Sequence, residues 1–235
     1  MGRLADIMEQ HHGIILDEHQ EELLMADLHA IMKVNETMNL TRILSEEGGI
    51  VLHLEDSLTG LPFVNAAPAG RYADLGTGGG FPGVPMRIMT GRETLLVDSV
   101  QKKVRAVQGV AEEIGIGEGV DIYAGRIEDL ALDCPGEFAV VTARALSALG
   151  SLMELASPLL KKGGRLVCYK AQPSDEELAI AEGIQQKVGM KIVERSDFAL
   201  SDGSTRCIFV IEKVGKPQVK LPRRVGLAQK DPLQP

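Results

Sequence analysis

Tyr72-Ala-Asp-Leu-Gly-Thr-Gly-Gly-Gly-Phe-Pro-Gly83 decides the fold, because an apolar run carrying Asp74 opens directly into glycines and then into a helix. Tyr72 to Leu75 read as a short strand. Gly76, Gly78, Gly79 and Gly80 admit positive φ and leave bare backbone facing a ligand. Pro82 suits the first turn of a helix running to about Met89, where its missing N–H would have had no partner. Strand, loop and helix in this order put the loop at the carboxyl edge of a parallel sheet, where open α/β folds bind their ligands.

The spacing narrows the ligand. A dinucleotide fingerprint requires G-x-G-x-x-G, and Phe81 stands where its last glycine belongs, so a dehydrogenase is disfavoured. No Gly-Lys-Ser/Thr follows, which removes a triphosphate P-loop. The remaining common occupant of such a loop is S-adenosylmethionine, whose ribose diol calls for an acid at the end of the next strand. Asp98 closes Thr94-Leu-Leu-Val97 and lies 22 residues beyond Gly76, a separation that one helix and one strand fill. Ser99 after it reads as an N-cap of the following helix.

Working outward, 235 residues with 44% hydrophobic side chains suffice for one α/β domain plus an extension. No apolar run approaches the roughly 18 residues of a membrane span. No secretory signal is visible at the N-terminus, and Cys134, Cys168 and Cys207 lack C-x-x-C spacing, so a cytoplasmic protein without a metal site is expected. The net charge of −8 argues against nucleic acid, yet it is unevenly spread. Residues 1–70 hold 12 acids and 3 bases, whereas residues 213–235 hold 6 bases and 1 acid. Local pattern therefore outweighs the total.

Asp17 to Asn35 forms an amphipathic helix with Leu24, Leu28, Ile31 and Met32 on one stripe, and a second helix spans about Glu47 to Thr59. Strands are expected near 71–75, 93–98, 119–123, 137–142, 164–169, 191–197 and 206–212, with helices near 82–90, 100–115, 147–160 and 174–188. This alternation predicts a mostly parallel sheet. The division expected is a helical extension over 1–69, a cofactor-binding domain over 70–214 and a basic tail over 215–235. Four prolines in that tail predict an extended chain rather than a helix. His53 and Asp56, three apart, read as a mutual pair, and Cys168 as a core residue.

Asp74-Leu-Gly-Thr-Gly-Gly-Gly-Phe-Pro-Gly-Val-Pro85 resembles the cofactor loop of the glucose-inhibited division protein B family, the bacterial 16S ribosomal RNA guanine-N7 methyltransferases. Asn39-Leu-Thr41, His53-Leu-Glu-Asp-Ser57, Asp98-Ser99, Arg144-Ala145, Tyr169-Lys170 and Pro222-Arg-Arg224 follow in family order over nearly the whole chain. Leu52 and Ala171 depart from the arginine and glycine that family members often carry there. The resemblance implies a class I S-adenosylmethionine-dependent methyltransferase fold, a Rossmann-like seven-stranded sheet whose last strand is antiparallel. It implies cofactor contacts from Asp74, Gly76, Gly78, Phe81, Asp98, Ser99, Ile127, Glu128 and Arg144. Lys170, Arg223 and Arg224 would hold RNA. The implied substrate is a decoding-centre guanine of 16S rRNA, in the small ribosomal subunit or an assembly intermediate, with the enzyme acting as a monomer. Guanine N7 carries a lone pair and no proton, so positioning rather than a general base should suffice, which fits the lack of an acid/base dyad. A small-molecule methyltransferase and a non-catalytic binding protein stay open beside this reading.

Overall fold

The computed structural model describes residues 2–235. Helices α1 (Arg3–His12), α2 (Glu18–Met38) and α3 (Glu46–Gly49) lead into a π-helical segment, Ile50–Glu55, continued by α4 (Asp56–Leu58) and α5 (Leu61–Asn65). Strand and helix then alternate: β1 (Arg71–Leu75), α6 (Gly83–Thr90), β2 (Thr94–Asp98), α7 (Gln101–Glu113), β3 (Val120–Ala124), α8 (Ile127–Asp133), β4 (Phe138–Arg144), α9 (Leu149–Ala156) and β5 (Leu160–Lys170). Helices α10 (Asp175–Gly183) and α11 (Gln185–Val188), strands β6 (Met190–Ala199) and β7 (Thr205–Lys213), and the single turn α12 (Leu227–Lys230) complete the chain.

The seven strands form one sheet in the order β3-β2-β1-β4-β5-β7-β6. β1 to β5 pair in parallel, and β7 runs antiparallel to both neighbours, inserted between β5 and β6. This is the expected class I methyltransferase arrangement. Strand order reverses between β1 and β4, and such a switch point opens a crevice beyond the carboxyl ends of the strands.

Strand alternation divides the apolar residues between two faces. Leu75, Val97, Val141 and Leu166 pack with α8, α9 and the helices after β5. Leu96 on the other face packs with Val104 and Val107 of α7, Leu24, Leu28 and Ile31 of α2, and Leu4 and Met8 of α1. The N-terminal helices therefore share a core with the sheet. The periodicity leaves α1 unmarked, because only Leu4, Ala5 and Met8 of it are buried and no side chain caps its start.

The segment from 47 to 59 is helical as expected but not uniformly α-helical. It has little solvated face, since His53, Glu55, Asp56 and Ser57 are buried along with its apolar residues. The wider turns let neighbouring polar groups reach different partners. His53 Nε2 meets Thr41 Oγ1 at 2.9 Å, while Asp56 Oδ2 accepts from Arg144 at 2.9 Å. Arg206 Nε lies 3.2 Å from Asp56 Oδ1. His53 and Asp56 do not pair with each other, which corrects the expectation from spacing. Glu55 accepts from the Ser201 N–H at 2.7 Å and lies 2.8 Å from His12 Nε2, tying α1 and the β6–β7 hairpin to the same carboxylate.

Three further expectations are corrected. Pro82 sits just ahead of α6 rather than inside its first turn. The expected 174–188 helix is interrupted at Ile184 between α10 and α11. The tail is not uniformly extended, since Leu227–Lys230 makes a helical turn whose Ala228 is buried against the domain.

Asp27 on α2 is buried completely, and neither carboxylate oxygen has a hydrogen-bond partner among the described residues. Burial raises its pKa well above the ordinary carboxylate value. Its folded pKa thus exceeds its unfolded one, so native stability falls as pH rises between the two. Asp27→Asn removes the ionisation, and its stability advantage over the natural chain is expected to grow by about 1.4 kcal/mol per pH unit across that window. Urea unfolding at pH 5 and pH 7 measures this; an advantage independent of pH contradicts it.

Candidate cofactor-binding site

The glycine loop is held from beneath by a buried hydrogen-bond relay. Asp74 on β1 is fully buried and accepts from the Gly83 N–H at 3.1 Å and from Thr142 Oγ1 on β4 at 2.6 Å. With the Thr142 hydroxyl proton spent on Asp74, Tyr72 Oη, 2.6 Å away, is the donor to Thr142. Burial pushes the Asp74 carboxyl up to about 6, against the lowering influence of Thr142, Arg144 and Gly83. It is therefore largely ionised at neutral pH, which strengthens its hold on the Gly83 amide. Gly83 has to be glycine: a Cβ there would lie 2.9 Å from Asp74 Oδ2. Asp74 thus shapes the loop from inside the sheet and does not line the cavity above it.

That cavity lies beyond the ends of β1 to β4. Gly76, Val97, Asp98 and Ser99 form its base, Gly125 to Glu128 one side, Ala145, Leu146 and Leu155 another, and Gly226 and Gln229 from the tail a further wall. At Gly76, φ is +71°. A Cβ there would lie 2.7 Å from Leu146 Cδ1, so both conformation and space require glycine. Asp98 Oδ2 accepts from the Gly78 N–H at 3.0 Å and Oδ1 from the Val100 N–H at 2.8 Å. A carboxylate has about four lone-pair sites, so two remain for a ligand's hydroxyls. Helix α7 begins at Gln101 with Val100 in the N-cap position and no side-chain cap, so Ser99 is not the N-cap expected and lines the cavity instead.

The remaining predicted residues divide by position. Ile127 and Glu128 line the cavity, and Glu128 Oε1 accepts from the Gly226 N–H at 2.7 Å. Phe81 is buried and stacks on the His53 ring, centroids 4.4 Å apart. Arg144 leaves β4 toward the π-helical segment, donating to the Leu52 carbonyl at 3.0 Å and to Asp56. Lys170 pairs with Glu177 at 2.7 Å and donates to the Ser147 carbonyl at 3.1 Å. Arg223 makes a bidentate pair with buried Glu154 on α9, at 2.8 and 2.7 Å, while Arg224 beside it is exposed. Burial, with Arg144 close by, lowers the His53 pKa from 6.5 to about 3, so this ring is neutral and cannot deliver a proton at neutral pH. Cys168 is fully buried with its thiol pKa raised, a core residue rather than a nucleophile.

A profile of the family described as rRNA small subunit methyltransferase G (GidB) matches residues 20–199. The chain belongs to this family. The ribosomal RNA small subunit methyltransferase G of Streptococcus equi subsp. zooepidemicus (strain H70) is 35% identical over 226 residues, covering 94% of each chain. That of Streptococcus pyogenes serotype M1 is 34% identical over 226 residues with the same coverage. Among solved structures, cofactor-bound Rv0187 from MTB aligns with a TM-score of 0.56 at 16% identity, covering 92% of this chain and 100% of that one. Geranyl diphosphate methyltransferase in complex with GPP and sinefungin gives 0.51 at 15% identity, covering 84% and 100%. At such identities the structural likeness speaks for the fold alone.

Within this GidB chain, sequence reasoning missed Leu146 and Leu155, Arg126 on the β3 side, and the tail wall. Arg126 carried a signal, since it directly precedes Ile127 and Glu128, which the resemblance implies as cofactor contacts. Gly226 and Gln229 carried none, lying about a hundred residues downstream in the stretch expected to be a basic, extended tail. Because the Arg144 side chain is committed to Asp56 and Leu52, Arg144→Ala is expected to keep affinity for S-adenosylhomocysteine within about threefold. It leaves buried Asp56 with one cationic partner, which costs about 3 kcal/mol of stability. Calorimetric titration and urea unfolding separate the two effects; a tenfold loss of affinity in a chain of unchanged stability contradicts this.

Proposed function

We propose that this chain transfers a methyl group from S-adenosylmethionine to N7 of a guanine in the decoding-centre loop of 16S rRNA. One observation carries the reading. The cavity at the topological switch point sets an acid, Asp98, beside a glycine loop with bare backbone and an apolar slot, in a chain that belongs to the rRNA small subunit methyltransferase G family.

The cofactor supplies an electrophilic methyl group on a sulfonium. Asp98 is placed to accept from ribose hydroxyls, and the Gly76–Gly80 backbone to lie close without side chains intervening. Ile127, Leu146 and Leu155 offer flat apolar surface for a base. On the acceptor side, N7 has a lone pair in the ring plane and loses no proton, so the residues need only orient the base and exclude water. The site is consistent with that economy: His53 stays neutral and buried, and Cys168 is inaccessible. Arg144 and Lys170 close the ends of β4 and β5, their charges balanced by Asp56 and Glu177. This balance keeps uncompensated cation away from a guanine that becomes more positive as it accepts the methyl. RNA binding is assigned to exposed Arg224 and to Lys170, which can exchange its Glu177 partner for a phosphate. A target base in an RNA loop is unstacked at modest cost.

Incubation with labelled S-adenosylmethionine and small subunits from cells lacking the protein is expected to place label on a single 16S guanine. Free 16S rRNA should accept less than a tenth as much, given how little basic surface the protein brings to phosphate. Label on a metabolite, or none on RNA, contradicts the assignment.

A further inference from the structure

The C-terminal tail is built into the cavity rather than lying loose beside it. Arg223 grips Glu154 and donates to the Asp231 carbonyl at 2.8 Å, so the residues between form a closed loop. Ser151 on α9 donates to the Ala228 carbonyl, and Gly226 donates to Glu128 on α8. Two helices on either side of the cavity therefore fix the same short turn, and its Gly226 and Gln229 become cavity wall. Gln229 is exposed, and its side-chain amide makes no hydrogen bond to protein among the described residues. A residue whose backbone turn is fixed beside a cavity by four anchors, and whose own amide is unspent, has a donor and an acceptor to offer a ligand.

The chemistry of the surroundings says which part of the ligand. Polar groups gather at Asp98 and the glycine loop, where hydroxyls and a charged tail are satisfied. The contacts that fix the turn set Gln229 on the other side: Ala228 is bonded to Ser151, one turn before Leu155 on α9, and Gly226 to Glu128, next to Ile127, and this apolar pair suits a flat aromatic base. A carboxamide presents one acceptor and one donor side by side, and adenine presents the matching exocyclic amine and ring nitrogen. We propose that Gln229, positioned by the Arg223–Glu154 and Gly226–Glu128 contacts, is a cofactor ligand that selects adenine over other purines; the inference rests on the cofactor reading of this cavity. The tail then serves the donor's base, and Arg223 in it is a positioning residue.

The test is calorimetric binding of S-adenosylhomocysteine and of its hypoxanthine analogue, S-inosylhomocysteine, to full-length protein. The natural chain is expected to prefer the adenine compound by tenfold or more. Gln229→Ala should weaken the adenine compound about tenfold, leave the hypoxanthine compound nearly unchanged, and so reduce the preference about tenfold. Exposure of the side chain predicts an unaltered melting temperature, and Asp98→Ala serves as the control for the cavity itself. Gln229→Ala with both affinities intact, or with both weakened alike, overturns the adenine role while Asp98→Ala still loses binding. If Asp98→Ala also binds as the natural chain does, the cofactor reading falls, and this inference with it.

Discussion

The site depends on one carboxylate that meets no solvent. Asp74 joins β1 to β4 through Thr142 and pulls the start of α6 inward through the Gly83 amide. A hydrogen bond to a charged group contributes about 1.5–3 kcal/mol. More important here is direction: the loop between Leu75 and Gly83 has both ends anchored before any ligand arrives. Gly76 and Gly78 then turn at positive φ with Asp98 fastening the Gly78 amide from the adjacent strand. Asp74, one residue before the end of β1, and Asp98, the last of β2, divide the work, one making the cradle and the other remaining partly available to what lies in it.

The ion pairs around the cavity follow a related logic. Arg144, Lys170 and Arg223 each leave a strand end or the tail and find a carboxylate on another element: Asp56, Glu177 and Glu154 respectively. None of the six side chains is more than about a fifth exposed. Such pairs add less stability than their number suggests, because desolvation offsets attraction. Their effect is to fix where segments distant in sequence sit. Four cations, Arg144, Lys170, Arg206 and Arg223, are thereby committed to internal carboxylates rather than displayed to a polyanion.

The sheet was legible because most strands carry a short apolar run bounded by glycine or a charge, and the strand bounds expected from the sequence fall within a few residues of those observed even for the largely exposed, charge-rich β6. Gly76 and Asp98 were legible as cavity residues because a bare loop and an acid one helix and strand later can be recognised from spacing alone. Other features were hidden for physical reasons. Asp74 looks like a ligand residue from its place in the motif, and only burial reveals that it faces inward. His53 and Asp56 are spaced to meet on an α-helix, but the π-helical turns around them swing the two apart. Arg223 reads with Arg224 as an RNA-holding base of the tail, whereas its guanidinium is committed to Glu154, 69 residues earlier. Gln229 has no periodic partner at all, because its role is set by contacts from two helices that sequence order does not relate.

The Glu55 knot also bears on how the chain assembles. Ser201 lies 146 residues beyond Glu55, and His12 lies 43 before it, so the three groups satisfy one another only after β6 and β7 exist. During synthesis from the N-terminus, α1 and α2 emerge while the hairpin that completes their polar contacts has yet to be made. The helices can gather on their own apolar stripe, but closing a loop of that length costs entropy that no local contact returns. The last hairpin to leave the ribosome thus completes the contacts of the first helix, and a chain cut short before residue 201 leaves the Glu55 carboxylate with His12 but without the two donors of Ser201.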